Sequence, residues 1–454
     1  MPRITPRTLK GFRDYLPEAA LPREWIVDTA RRVYRSYGYR PIDTPALEYL
    51  EILTGKGSEE TDKQLYRFQD HGGRDVGLRF DLTVPLARFV AQHAQQLGLP
   101  FKRYHIASVW RGENTQAGRY REFMQCDFDT VGVTSLTADI EMTLVINDLL
   151  SALGVERFTI RVNHRGVLNG LMDKLGLAEQ ASSVLRAIDK LGKIGPEGVA
   201  KELRAAAGAD AQQASQLLEL AELAGDDDRV LTQLDRLVAG NEVGQRSVAQ
   251  LDELLGAVQA AGISPERVQL DPSIARGLDY YTGVVVETQL DDLPSIGSVC
   301  SGGRYDNLAG LYTSQQLPGV GASLGLDRLL AALEKLGRLP TARTPAPTLL
   351  CMFDSQSRDR YLALAAQLRA AGVGVELFPE AKKLGKQLQY ADRQGFRAAL
   401  ILGPDEFAAG RCQIKNLASG ESTSVAYQDD DVGELVDALR RLLSQSSSVD
   451  APQQ

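Results

Sequence analysis

Residues 101–132, reading FKRYHIASVWRGENTQAGRYREFMQCDFDTVG, constrain the fold more than any other segment. Two runs rich in aromatic and β-branched residues flank the polar, glycine-containing stretch 114–118, which reads as a long antiparallel hairpin. Side chains alternate faces along a strand. On the second run Tyr120, Met124, Cys126 and Phe128 share a core-like face, interrupted only by Glu122. The opposite face carries Arg119, Arg121, Phe123, Gln125, Asp127 and Asp129. From Arg121 to Asp129 it extends about 26 Å at ~3.3 Å per residue, enough to underlie an extended ligand. On the first run Arg103, His105, Val109 and Arg111 share a face, with Arg111 nearest the connection. A solvated outer face usually mixes Lys, Glu and Thr. This one segregates arginines at the loop end from Gln and Asp at the other.

A second segment, 273–287 (SIARGLDYYTGVVVE), runs from Arg276 through a Gly-Leu turn, Asp279, Tyr280 and Tyr281 into a β-branched strand. One fixed cation beside two phenol rings suits an anion held next to a flat polar ligand. A structural Arg–Asp pair with two half-buried tyrosines is the equal alternative from these residues alone.

Composition limits the class. A chain of 454 residues exceeds one ordinary core and implies two or three domains. At 43% hydrophobic and 24% charged it reads as a soluble globular protein, and a net charge of −8 argues against non-specific nucleic-acid binding while leaving room for a local basic surface. Cys126, Cys300, Cys351 and Cys412 stand apart, without metal-ligand spacing, so neither a disulfide framework nor a protein metal site is expected. With no apolar leader and no membrane-length apolar run, a cytoplasmic protein is expected.

Several motifs together resemble histidyl-tRNA synthetases, a family of class II aminoacyl-tRNA synthetases. Arg111, the Gly118-Arg119-Tyr120-Arg121-Glu122-Phe123 turn, Gln125 and Asp129 are similar to the second class II motif. Arg276 to Tyr281 (RGLDYY) and Ser301 to Asp306 (SGGRYD) resemble the two segments particular to that family, and 321–329 (GASLGLDRL) resembles the third class II motif. The runs 10–17 (KGFRDYLP) and 80–85 (FDLTVP) fit as well, so the likeness extends from about residue 8 to 443.

The resemblance implies activation of histidine by ATP to an adenylate, followed by transfer to tRNA in a homodimer, with Mg²⁺ accompanying ATP. It places Arg111 and Arg276 on opposite sides of the α-phosphate as catalytic residues. Glu113 and Arg119 fall where adenine and the terminal phosphates are held, and Arg328 at the γ-phosphate. Asp81, Thr83 and Gln125 fall where the α-ammonium is received, with Leu82 among the histidine-binding residues, while Asp129 and Tyr281, with Tyr280 beside them, contact the imidazole. Departures from the common pattern are Asn307 in place of a frequent glycine, Asp327 in place of glutamate before Arg328, and aspartates at 81 and 129. Two rivals remain: a catalytically inactive, histidine-binding regulatory paralogue of ATP phosphoribosyltransferase, and another synthetase of the same class. The retained Arg111, Arg276 and Arg328 oppose the first, and the two family-particular segments oppose the second.

The expected architecture is α/β. Residues 1–338 form an α+β catalytic domain on an antiparallel sheet, with an amphipathic helix at 22–37. An alanine- and leucine-rich helical insertion occupies about 170–262. The Pro-rich stretch 339–347 is a linker. Three apolar runs at 348–353, 373–378 and 398–403 alternate with helical segments as in a small α/β domain spanning 348–443. By resemblance this domain binds the anticodon through Lys382, Lys383 and Lys386 on its second helix. Residues 444–454 are expected to be a disordered tail.

Overall fold

The computed structural model of the protein describes residues 3–54, 63–116, 118–274, 280–340 and 342–445. Arg276, together with the rest of 275–279, lies outside the described residues, as do residues 446–454 of the expected tail. The chain divides into two compact units: 1–13 with 26–336, and 14–25 with 337–454.

The strands of the first unit are β1 (Arg40–Pro41), β2 (Leu47–Tyr49), β3 (Arg67–Gln69), β4 (Asp75–Leu78), β5 (Phe101–Trp110), β6 (Glu122–Val131), β7 (Phe158–His164), β8 (Val268–Leu270), β9 (Val284–Leu290), β10 (Cys300–Tyr305) and β11 (Gly319–Gly325). Eight of them form one sheet in the order β1-β5-β6-β11-β10-β9-β7-β8. Only its two edge pairings, β1 with β5 and β8 with β7, are parallel. A separate small sheet has the order β2-β4-β3. The hairpin is realised with Arg103 opposite Asp129, His105 opposite Asp127 and Ala107 opposite Gln125, so the expected polar residues do share one face.

Helix Pro17–Ser36 starts a turn and more before the expected 22–37 and carries Pro22 inside it. Its Ile26, Ala30 and Tyr34, spaced four apart, are fully buried. Tyr34 donates a hydrogen bond to the Cys126 carbonyl at 2.9 Å, locking the helix under β6. Helix Thr137–Ala152 buries Met142, Val145, Ile146, Leu149 and Leu150. Its Asp139 holds the buried Arg304 of β10 through a bidentate ion pair.

The insertion is helical throughout, from Arg165–Lys174 to Glu242–Ala260, and has its own core including Leu171, Val184, Leu203, Leu217, Leu234 and Leu251. Its polar turns are capped by side chains: Asp210 accepts from Gln213 N at 2.8 Å and Asp226 from Arg229 N at 2.9 Å. The second unit contains β12 (Thr348–Leu350), β13 (Val375–Leu377), β14 (Ala398–Ile401), β15 (Arg411–Asn416) and β16 (Ser422–Ala426), in the sheet order β13-β12-β14-β15-β16. Its first three strands are parallel, and the β15–β16 hairpin extends them antiparallel. The second helix there spans Leu384–Gln394, so it carries Lys386 but not Lys382 or Lys383, which precede it. Lys382 instead pairs with Glu380 at 2.6 Å.

All four cysteines are buried free thiols, and no described helix is long and apolar enough to cross a membrane.

Candidate active site

A single pocket in the first unit collects most of the residues singled out above. Asp81, Thr83, Arg111, Glu113, Arg119, Gln125, Asp129, Tyr280, Tyr281 and Arg328 all line it. Leu82 does not. Its side chain is fully buried in the core, and its carbonyl accepts from Arg103 at 3.3 Å.

One end of the pocket is cationic. Arg111 leaves the hairpin with its Nε donating to the Phe80 carbonyl at 2.9 Å and its guanidinium over the Phe123 ring at 5.1 Å. Arg328, in the first turn of helix Leu326–Lys335, donates to the Ser298 carbonyl. Burial lowers the pKa of Arg328, and repulsion from Arg119 and Arg111 adds to the shift, partly offset by Glu113 and Glu287. Cations crowded closely enough to destabilise one another mark a place where an anion is welcome. Glu113 faces Arg119 at 3.5 Å.

Among the described residues of 111–121 the hairpin's connection is irregular, with a Gln116–Arg119 bridge inside it. Strand alternation therefore fails there: Tyr120, expected in the core, lines the pocket, while Arg121 turns to the carbonyls of Glu113 and Lys10. Asp327 is buried and spent on structure, accepting from Met124 N at 2.8 Å and pairing with Arg13 at 3.2 Å. No described non-glycine residue has positive φ, so Asn307 does not use the left-handed backbone its position invited.

The other end is acidic and buried. Asp81 Oδ1 accepts from Val84 N at 2.9 Å at the start of helix Thr83–Leu97, leaving Oδ2 without a hydrogen-bond partner among the described residues. Gln125 donates its amide to Ser323 Oγ at 2.7 Å, which leaves its Oε1 likewise without a donor. Buried orphan acceptors are rare and call for a donor from outside the chain. Burial raises the Asp81 carboxyl, and Val84 N and the nearby Arg111 hold it down in part.

Asp129 is 3% exposed and fixed from two sides: Tyr305 donates to Oδ1 at 2.5 Å and Arg103 approaches Oδ2 at 2.6 Å. Arg103 is itself 0% exposed. A Cβ on Gly321 would overlap the Asp129 carboxylate and the Phe128 carbonyl, so glycine there is what lets the acid lie across β11. Tyr280 and Tyr281 meet edge to face, centroids 5.1 Å apart, and Tyr280 also meets Tyr305 at 5.9 Å. Burial pushes all three phenols up, so they remain hydrogen-bond donors at any physiological pH. Arg103 and Tyr305 as partners of Asp129 were not anticipated. The signal was present, since both lie in segments already singled out, but their meeting depends on strand register.

Such a pocket suits an extended ligand with an ammonium and a polar ring at one end and phosphates at the other. Residues 11–329 match the family model for histidyl-tRNA synthetase, and residues 349–441 match that for an anticodon binding domain. A histidine–tRNA ligase of Rhodopirellula baltica is 60% identical over 441 residues, covering 97% of this chain and all of that protein. The crystal structure of a histidyl-tRNA synthetase from Nostoc sp. superposes with a TM-score of 0.87 at 38% identity, over 97% of this chain and 100% of that one. A Bacillus halodurans structure, described as an ATP phosphoribosyltransferase regulatory subunit/histidyl-tRNA synthetase, gives 0.73 at 26% identity, over 86% of this chain and 97% of that one.

Proposed function

The chain belongs to the histidyl-tRNA synthetase family, and on that premise we propose that it joins L-histidine to its tRNA through a histidyl-adenylate made from ATP. The observation that carries this reading is the division of one pocket into an arginine pole and a buried acceptor pole.

In the first step a carboxylate oxygen of histidine attacks the α-phosphorus of ATP, and pyrophosphate leaves with the electrons of the broken P–O bond. Negative charge gathers on the transferring phosphoryl group, so placed cations are the main source of rate. Arg111, at the cationic end but close enough to Asp81 to act on its carboxyl, takes the α-phosphate. Arg276, outside the described residues, is assigned the opposite side by its place in the RGLDYY segment. Glu113 and Arg119 hold adenine and the terminal phosphates, and Arg328 the γ-phosphate. Magnesium enters with ATP as part of the substrate, on the pyrophosphate oxygens.

Asp81 Oδ2, Thr83 and Gln125 Oε1 receive the α-ammonium: one carboxylate and two neutral acceptors for one positive charge. Asp129 and Tyr281 read the imidazole, with Tyr280 packed beside them. In the second step the 3′-terminal hydroxyl of the tRNA attacks the adenylate carbonyl carbon and AMP leaves with the electrons of the broken C–O bond; no side-chain base is required, because a phosphate oxygen of the adenylate can take the hydroxyl proton.

The catalytic role is assigned to residues 1–338, with the helical insertion at about 170–262 directed to the tRNA acceptor arm and 348–443 to the anticodon beyond the 339–347 linker. A homodimer acting in the cytoplasm completes the reading; exposed Leu47, Tyr49 and Phe68 of the small sheet supply apolar surface for self-association.

ATP–pyrophosphate exchange with each amino acid in turn tests the reading. Histidine alone should support exchange; exchange with another amino acid, or histidine binding without exchange, would overturn it. For the second unit, neutralising Lys382, Lys383 and Lys386 should weaken tRNA binding. It should also flatten the slope of log affinity against log salt by roughly 0.7–0.9 for each phosphate that is no longer neutralised. Adenylate formation should persist, and an unchanged salt slope would remove these lysines from the tRNA surface.

A further inference from the structure

The roles assigned above leave one buried acid of the pocket unused. Asp127 is 2% exposed, lines the pocket, and its Oδ1 has no hydrogen-bond partner among the described residues. It sits two positions before Asp129 on β6, on the same face. Same-face neighbours on a strand lie ~6.6 Å apart, and hydrogen bonds of about 2.8 Å on either side of a five-membered ring need acceptors roughly 7 Å apart. The two carboxylates are therefore spaced to flank one imidazole. Asp129 is the held member, with Tyr305 donating to Oδ1 and Arg103 ion-paired to Oδ2; Asp127 Oδ1 has neither kind of partner among the described residues.

We propose that Asp127 is a specificity-determining residue of the amino-acid site, its Oδ1 facing the ring nitrogen that Asp129 does not take. The proposal rests on the histidine reading of this pocket. Tyr281, which lines the same space, then meets the ring beside Asp127 rather than alone.

A neutral imidazole offers one N–H and one bare nitrogen. Between two acids, either Asp127 is protonated and donates to the bare nitrogen, or the ring is an imidazolium and both acids accept. Both arrangements hold the same single extra proton, shared between ring and carboxyl.

The surroundings let Asp127 play this part. Burial pushes its carboxyl up to about 7, Arg103 opposing and Asp129 and Asp81 reinforcing the rise. From β5, His105 stands opposite it in register, but burial and the arginines at 103 and 79 push that ring down to about 3, so it stays neutral. β11 brings only the Ser323 hydroxyl, and β10 the Cys300 thiol, which burial pushes up. The nearby phenols of Tyr34 and Tyr281 are also pushed up by burial. None of these bases, thiols or phenols changes charge between pH 6 and 9, and the Arg103 guanidinium, 2.6 Å from the Asp129 carboxylate, opposes the rise that burial gives that acid.

The test is histidine binding to the full chain by calorimetry in buffers of different ionisation heat. Wild type should take up close to one proton at pH 8, where free Asp127 is ionised and free histidine neutral, and almost none near pH 6.5. Above about pH 7.5, kcat/KM for histidine in the exchange assay should fall about tenfold per pH unit. In Asp127→Asn the amide donates to a neutral ring, so the uptake should vanish and the profile flatten, with KM for ATP unchanged. Should that variant not fold, the wild-type proton count decides by itself. Histidine-dependent exchange without proton uptake at pH 8, or equal uptake by the variant, overturns the role of Asp127 alone. Absence of histidine-dependent exchange in wild type overturns the reading beneath it.

Discussion

Replacing Arg111 with Ala is expected to slow histidine-dependent ATP–pyrophosphate exchange by on the order of 10²–10³-fold, the usual loss for one preorganised donor aimed at transition-state charge. The geometry explains why the group is preorganised. Its Nε is committed to the Phe80 carbonyl and its planar face lies over Phe123, so the fork is aimed before any substrate arrives. It influences both poles, holding the Asp81 carboxyl down and destabilising the Arg328 cation. That is where the bond between the amino acid and the phosphate must form. Arg111→Lys keeps the charge but loses the fork and the stacking, and should recover only a small part of the rate. Histidine affinity measured without ATP should change little. Exchange within about threefold of wild type would mean that Arg111 does not touch the reacting phosphoryl group.

The sequence made the hairpin legible because two ten-residue strands keep strict alternation, and the polar face from Phe123 to Asp129 follows from it. The connection at 111–121 was less legible. Irregular backbone has no period, so Tyr120 lines the pocket where alternation puts it in the core, and Arg121 turns to the carbonyls of Glu113 and Lys10 instead of joining the polar face. Arg103 and Tyr305 were visible as residues but not as a pair gripping Asp129. That meeting requires β5, β6, β11 and β10 to be neighbours in a fixed register, which chain order does not state. The β15–β16 hairpin was not legible because β16 (STSVA) is polar and exposed, with little of the apolar signal that marks a strand. Lys382 and Lys383 fall before their expected helix because their spacing fits a helical face equally well when the first turn is absent.

Asp129→Ala should produce two separable losses. The first is in recognition: kcat/KM for histidine should fall by roughly 2–4 kcal/mol, because a buried, charge-assisted hydrogen bond to the ring is removed. The second is in stability, by about 3–5 kcal/mol, the typical consequence of removing one partner from a buried ion pair. Arg103 is 0% exposed, and apart from Asp129 it donates to the Leu82 carbonyl at 3.3 Å; its Nε and Nη1 have no partner among the described residues. Arg103→Met makes the converse cut. It leaves a buried carboxylate whose pKa, already raised by burial, rises further without its cation. Since a raised folded-state pKa means the folded protein holds its proton longer than the unfolded chain, stability of that variant should fall as pH increases above the unfolded value of about 4. Thermal melts of both variants between pH 5 and 8 would check the sign. The double variant, Asp129→Ala with Arg103→Met, then separates fold from recognition, since replacing a whole buried pair with apolar groups is often close to neutral. It should melt near wild type yet still bind histidine poorly. A double variant that regains both stability and histidine affinity would mean that Asp129 only holds Arg103 in place, and that the imidazole is read by other residues of the pocket.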